Sequence, residues 1–433
     1  MAIRAGVSFR EITPQTPVSL TGYADAKRVA TTVHDPLLAT ALHIRSGSQT
    51  MILVSLDLLL LHPHTAQKIR TGVSQAVATS QDLITVCCTH NHSGPATARQ
   101  LCWLSDPTVP KPDPQYLEFV ESQAVRAAAE AAATSQQAEF ACVTVESSLN
   151  ADGTIQPGAT ILALKTPGGP FIAIGAICDV YPAMLDETTV QVSSDFPHYL
   201  RQRLHQRLGD GCGVIHLTGP CADKHIELDP RDHTFDGAEQ LGIGLADRIA
   251  DTLGQIEPDQ FDADPLLAGK RENVTLPRQT LPVAINAKIK WGDAQVEYDR
   301  IKEAPDIDPV SRHAARLAVA STKGTVLVTQ LMQSGKAEDI LQDYDPLEVQ
   351  VLRIGKTALV TLPGMLASHY GRKLRENTEP PAQAICLANG DLQGYVVREQ
   401  AAHAGSFGPM PGPFGPEAGD LLVETALRLI AAR

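Results

Sequence analysis

Two imidazoles and a thiol define the chemistry this chain could perform. His90 and His92 close the run Leu83-Ile-Thr-Val-Cys-Cys-Thr-His-Asn-His-Ser-Gly-Pro95. The first half of that run is apolar and β-branched, of buried-strand length, and it stops in polar residues and a Gly-Pro breaker. If strand geometry carries through them, residues two apart share one face, so one ring could take a metal ion while the other moves a proton. The plainer alternative has one ring capping the next element and the other exposed. A second constellation is Cys221-Ala-Asp223-Lys-His225. Thiol and imidazole at this spacing could do acyl chemistry, whereas a buried thiol beside a salt-bridged Asp223 accounts for the same residues without it. A third polar strand end is Cys178-Asp-Val-Tyr181-Pro182.

Side chains at strand ends need a sheet behind them. In open α/β sheets the crevice beyond the carboxyl ends of the strands is where ligands bind. Apolar runs predict strands at 7–12, 33–44 and 51–61, the last two joined by a turn at Gly47-Ser48. Asp57 lies inside the third run, and a charge there is costly unless it is partnered. Further strands are predicted at 140–147, 160–166, 171–180, 213–217, 346–354, 357–362 and 384–388. Helical spacing marks 65–79, 116–133, 196–208 behind an Asp195 cap, 238–253, 366–375 and 418–432. Residues 259–336 are more charged, with a strand at 273–276 and helices at 294–303 and 309–321, and read as a peripheral subdomain or insertion. The expectation is one large α/β domain over 1–433, a mixed β-sheet core flanked by helices, without an internal repeat.

Composition narrows the partners. The chain has 433 residues, a formal charge of -13 and 4% aromatics. That charge disfavours phosphate backbones and anionic membranes, and so few aromatics make a poor base-stacking platform. No nucleic acid and no membrane are therefore expected, and a small-molecule substrate is; a homo-oligomer stays open. The amino-terminal residues lack an apolar h-region, and the longest apolar run is too short to span a bilayer. Eight cysteines show no Cys-x-x-Cys spacing and several sit in apolar runs, which predicts buried thiols in a reducing compartment, the cytoplasm by default.

The sequence resembles the catalytic region of the neutral/alkaline non-lysosomal ceramidases. The likeness rests on Gly6-Val-Ser-Phe-Arg-Glu-Ile-Thr-Pro14, Leu20-Thr-Gly-Tyr23, Val33-His-Asp-Pro-Leu37, Ser55-Leu-Asp57 and, most specifically, Thr89-His-Asn-His-Ser-Gly-Pro95. Ser194-Asp195, Gly219 to Asp223, Leu362-Pro-Gly364, Asn389-Gly and Gly394-Tyr395 extend it along the chain in order. At this length the family's extra C-terminal β-sandwich is not expected. The resemblance implies a zinc-dependent amidase in which His90 and Tyr395 match metal ligands. At the two other ligand positions Tyr181 replaces a His and Met365 replaces a Glu. His225 aligns with the family's nucleophilic or metal-adjacent Ser/Asn, and the Arg that engages substrate carboxylate has no match.

Three readings follow. The first is a hydrolase acting on an amide, lactam or ester bond of a small soluble substrate. Its rebuilt zinc site would draw nitrogen from His90, His92 and His225 and oxygen from Asp179, Asp195 or Asp223. The second is a metal-free acyl-transfer or acid/base enzyme using Cys221 with His225, or the His90/His92 pair, with Tyr181 and Asp223 beside them. The third is a silent binding protein in the same crevice. Ceramide itself is not the expected substrate.

Overall fold

The computed structural model describes residues 2–23, 26–104, 108–149, 155–224, 233–304, 306–397 and 412–432. Its sheets follow one recurring order. Strands β1 (Arg4–Glu11), β2 (Leu38–Ser46) and β3 (Gln49–Leu56) form an antiparallel meander. Helix α1 (Pro63–Val77) then returns the chain as β4 (Ile84–Cys88), parallel to β3, and α2 (Pro114–Ala133) packs on α1. The pattern repeats with β5 (Glu139–Val145), β6 (Ala159–Lys165) and β7 (Phe171–Cys178) as the meander. Next come α3 (Phe196–Leu208), β8 (Gly213–Thr218) parallel to β7, and α4 (Phe235–Leu253) against α3.

The third unit opens with β9 (Leu267–Val274), which pairs antiparallel with a strand that follows two long helices, α5 (Ala284–Ile301) and α6 (Pro309–Gln333). That strand is β10 (Leu347–Ile354), with β11 (Thr357–Thr361) antiparallel beside it. Short β12 (Met365–Leu366), α7 (Ser368–Glu376) and β13 (Gln383–Ile385) follow, β13 running parallel to β11. Strand β14 (Tyr395–Val396) pairs with β12, and α8 (Pro416–Ala431) lies against α7. The α5–α6 pair thus interrupts the third unit between its first two strands.

A mixed α/β core flanked by helices is as expected from the apolar runs. The internal repeat was not expected, because a repeat of topology needs only strand alternation and helical spacing, which different residues supply equally well. Two helices are longer than their sequence pattern. Helix α5 starts at Ala284 rather than 294, where exposed Ile285 and Ile289 spoil an amphipathic reading. Helix α6 runs to Gln333 through a β-branched stretch whose Val328 and Thr329 are fully buried, so packing overrides propensity. The strand expected at 273–276 lies instead at Leu267–Val274.

The three units meet at the ends of their parallel strands. Thr218 Oγ1 donates to the Thr89 carbonyl at 2.9 Å, the Cys386 amide donates to the Thr218 carbonyl at 2.8 Å, and the Cys88 amide to the Leu387 carbonyl at 3.2 Å. The loops after these strands therefore start from one central region. All eight cysteines are free thiols. Among the described residues no helix is long and apolar enough to cross a membrane.

Candidate functional site

The first unit supplies the imidazoles. Beyond β4 the backbone stays tied to the segment after β3, through Thr89 N to Leu56 O at 2.9 Å and Asn91 N to Leu58 O at 3.1 Å. Between those bonds His90 takes a left-handed conformation, φ 66°. Such a φ costs roughly 1–2 kcal/mol for a residue with a Cβ, so the flanking bonds must hold it. Strand geometry thus ends at Cys88, and the two rings reach the same place by a turn rather than by alternation. Their centroids lie 4.9 Å apart.

His90 is fixed at both nitrogens. Nδ1 lies 3.1 Å from the Leu59 carbonyl, which only accepts, so Nδ1 carries the proton. Nε2 is therefore the acceptor for the Tyr395 hydroxyl at 2.7 Å. Burial pushes the His90 pKa down to about 4, partly opposed by the Leu59 bond, and the ring is neutral at pH 7.

Tyr181, after β7, brings its ring to 5.0 Å from His90 and 6.4 Å from Tyr395. The two tyrosine side chains share a hydrogen bond, and burial pushes both phenols well above their usual pKa. Met365 is the register partner of Tyr395 between β12 and β14 and is buried beside it. Four positions from three units, His90, Tyr181, Met365 and Tyr395, are thus brought together.

His92 joins the same cluster, its ring 5.8 Å from that of Tyr181 and 5.0 Å from that of Tyr23. Arg28 lies 4.7 Å over the Tyr23 ring and donates to the His92 carbonyl at 2.6 Å. Gly22, with φ 113°, passes so close that a Cβ there would stand 2.8 Å from His92. Sequence reasoning placed Gly22 and Tyr23 within a family-like motif and gave Tyr23 and Arg28 no role; a motif carries no sign of which ring its neighbours will brace.

The second constellation falls out differently. Asp223 accepts from the Ser368 amide at 2.6 Å and its hydroxyl at 2.7 Å, at the start of α7. Cys221 Sγ lies 3.2 Å from the Gly219 carbonyl, and burial pushes its thiol well up, against thiolate formation. His225 lies outside the described residues. Asp195 accepts from the Phe196 and Leu185 amides at 2.6 and 3.0 Å, the capping role expected of it. Asp57 takes Arg201 in a two-pronged ion pair, both bonds 2.7 Å.

A zinc ion fits these side chains poorly. Among the described residues no three His, Cys, Asp or Glu side chains are grouped to hold a metal. The lone pair that His90 would offer is engaged by Tyr395, both phenols are held protonated, and Met365 offers only a thioether. With no anion in the cluster, a divalent charge would be buried uncompensated.

A cavity of about 370 Å³ is walled by Leu59, whose carbonyl binds His90, with Thr21, Gln100, Trp103, Arg99 and Lys111; the His90, Tyr181, Met365 and Tyr395 side chains are not part of that wall. Gln100 is buried, and its Oε1 has no hydrogen-bond partner among the described residues.

No family model matches the chain, and no curated protein matches it in sequence. Its fold is shared with solved structures. The neutral ceramidase from Pseudomonas aeruginosa superposes with a TM-score of 0.71 at 16% identity, over 99% of this chain and 74% of that one. A ceramidase complexed with C2 does so with a TM-score of 0.71 at 15% identity, over 100% of this chain and 76% of the other. At such low identity the likeness is one of architecture, and the chain has the mixed α/β fold of neutral ceramidase.

Proposed function

We propose that this protein hydrolyses an amide or ester bond of a small substrate, using the Tyr181–Tyr395–His90 cluster in place of a metal. The observation that carries the reading is the fixed His90 tautomer, with its basic nitrogen on the Tyr395 hydroxyl. A water hydrogen-bonded to the Tyr395 oxygen would attack the acyl carbon. As the C–O bond forms, the water proton passes to Tyr395 and the Tyr395 proton to His90 Nε2. The same path run backwards delivers that proton to the leaving nitrogen or oxygen as the C–N or C–O bond breaks. Neutral His90 is wholly in its base form at pH 7, which is what such a relay requires. The ceramidase fold supports the choice of an acyl bond by analogy of architecture.

The cavity beside Leu59 is the seat we assign to the substrate. Arg99 and Lys111 on its wall suit an anionic end of that substrate. The probes are N-acetylglycine p-nitroanilide and p-nitrophenyl acetate, incubated with untagged protein in the presence of a chelator. Turnover that survives the chelator and falls in a folded Tyr395→Phe variant supports the relay. Turnover that disappears with the chelator and returns with zinc would favour a rebuilt metal site instead.

A further inference from the structure

Helix α5 uses one face and leaves the opposite one open. Ala287 and Ile301 are buried, and Trp291, Ala294 and Tyr298 half-buried, along the side that meets α6. Diametrically across the helix, Ile285, Ile289 and Val296 are 63%, 54% and 69% exposed. They fall at i, i+4 and i+11, a single line along an α-helix. Gly292 occupies the remaining step of that line, and a Cβ built on it meets nothing within 4 Å. Branched aliphatic residues in a continuous row, with a gap at the middle where another backbone could approach, form a packing seam without its partner.

The charges beside the seam say what that partner is. The first half of α5 carries Lys288 and Lys290; the second carries Asp293, Glu297 and Asp299, with Arg300 paired to Glu297 and Lys302, just past the helix, to Asp299, which leaves that half net acidic. The halves are therefore opposite in sign. Laid antiparallel on itself, the helix sets each basic half on an acidic half, whereas a parallel pairing would set like on like. A two-fold axis near Gly292 brings Ile289 opposite Val296 and Ile285 opposite the aliphatic stem of Arg300. Lys288 then lies on the same flank as Asp299 of the other copy. This self-complementarity is what a closed two-fold contact demands. An anionic lipid surface fits less well, since the acidic half and the overall charge of -13 would oppose it.

We propose that two copies of this chain associate in solution through antiparallel α5 helices, with the crossing at Gly292. The seam, Ile285 to Val296, is about 18 Å long at 1.5 Å per residue, so the association is moderate and concentration-dependent.

Sedimentation velocity of the full chain between about 1 and 100 µM tests this, with the mass doubling within that range. Ile289→Lys, an exposed position that leaves the α6 contact alone, holds the chain monomeric throughout. Lys288→Glu weakens the dimer about tenfold, and adding Asp299→Lys restores it. The charge pair keeps the test open should Ile289→Lys disturb folding. A parent chain monomeric at the highest concentration overturns the proposal, as does a dimer indifferent to both sets of changes. It is equally overturned if the monomer instead floats with phosphatidylcholine vesicles and loses that property in Ile289→Lys, which would make the seam a membrane contact.

Discussion

Tyr395 donates its hydroxyl proton to His90 Nε2 over 2.7 Å, and it can do so only because the Leu59 carbonyl holds the other nitrogen of that ring as a donor. Direction is thereby built in: one carbonyl from the segment after β3 sets the tautomer, and the tautomer decides that the phenol gives and the imidazole receives.

Removing the Tyr395 hydroxyl strands a buried acceptor. Tyr395→Phe should lower stability by about 1–3 kcal/mol and, if the relay carries the chemistry, lower kcat by roughly 10²–10⁴ with a smaller change in KM. Urea titration and steady-state kinetics read the two effects separately. A variant as stable as the parent would show that the bond contributes nothing.

Untagged parent protein should carry no stoichiometric zinc, because the cluster has no anionic ligand. Tyr181→His combined with Met365→Glu supplies the nitrogen and carboxylate that the resemblance places at those positions, and should bind zinc tightly enough to survive dialysis. Elemental analysis of both proteins decides it. One zinc per chain in the parent contradicts our reading of the donor set.

The Asp57–Arg201 pair is buried at both ends and joined by two bonds of 2.7 Å. Asp57→Asn leaves a guanidinium without its counter-charge, and should cost about 3–5 kcal/mol by urea denaturation. Replacing both partners by apolar residues should cost much less, and equal costs would show that packing, not charge, is at stake.

His216 is fully buried, has no hydrogen-bond partner at either ring nitrogen among the described residues, and packs edge-on against Phe196 at 5.3 Å. Burial, helped by the Arg201 charge, pushes its pKa down from 6.5 to about 3. Between those values the unfolded chain binds a proton that the folded chain does not, so stability falls as pH drops below about 6.5, by up to about 1.4 kcal/mol per pH unit. His216→Phe should remove that component, stabilising increasingly as pH falls and most at about pH 3. Parallel stability-versus-pH curves for parent and variant would refute it.

Cys221 is a thiol held by burial, so its alkylation by iodoacetamide in the native protein should be slow and Cys221→Ala should keep its activity. Asp223→Ala should instead cost about 0.5–2 kcal/mol through the start of α7, read by thermal unfolding. Loss of turnover in a fully stable Cys221→Ala would return the thiol to the mechanism.

Much of the centre was legible in the residues because strand ends are written locally. The run closing in His90 and His92 has its own apolar half and its own breaker, and Asp195 sits one residue before the helix it caps. What could not be read lay in partners far along the chain. Asp57 declared itself a buried charge, but Arg201 stands 144 residues away in an ordinary-looking helix. The proximity of Cys221, Asp223 and His225 in sequence pointed to a catalytic group, yet Asp223 turns towards Ser368, 145 residues on. The left-handed turn at His90 was hidden as well, since side-chain alternation predicts the same convergence by another backbone path.

The three-unit topology has a consequence for how the cluster is assembled. His90 comes from the first unit, Tyr181 from the second, and Met365 and Tyr395 from the third, so no single unit contains the whole cluster. Contacts of this sequence separation close late, after the loop entropy of nearly the whole chain has been overcome. The cluster is then complete only once the last strand has paired.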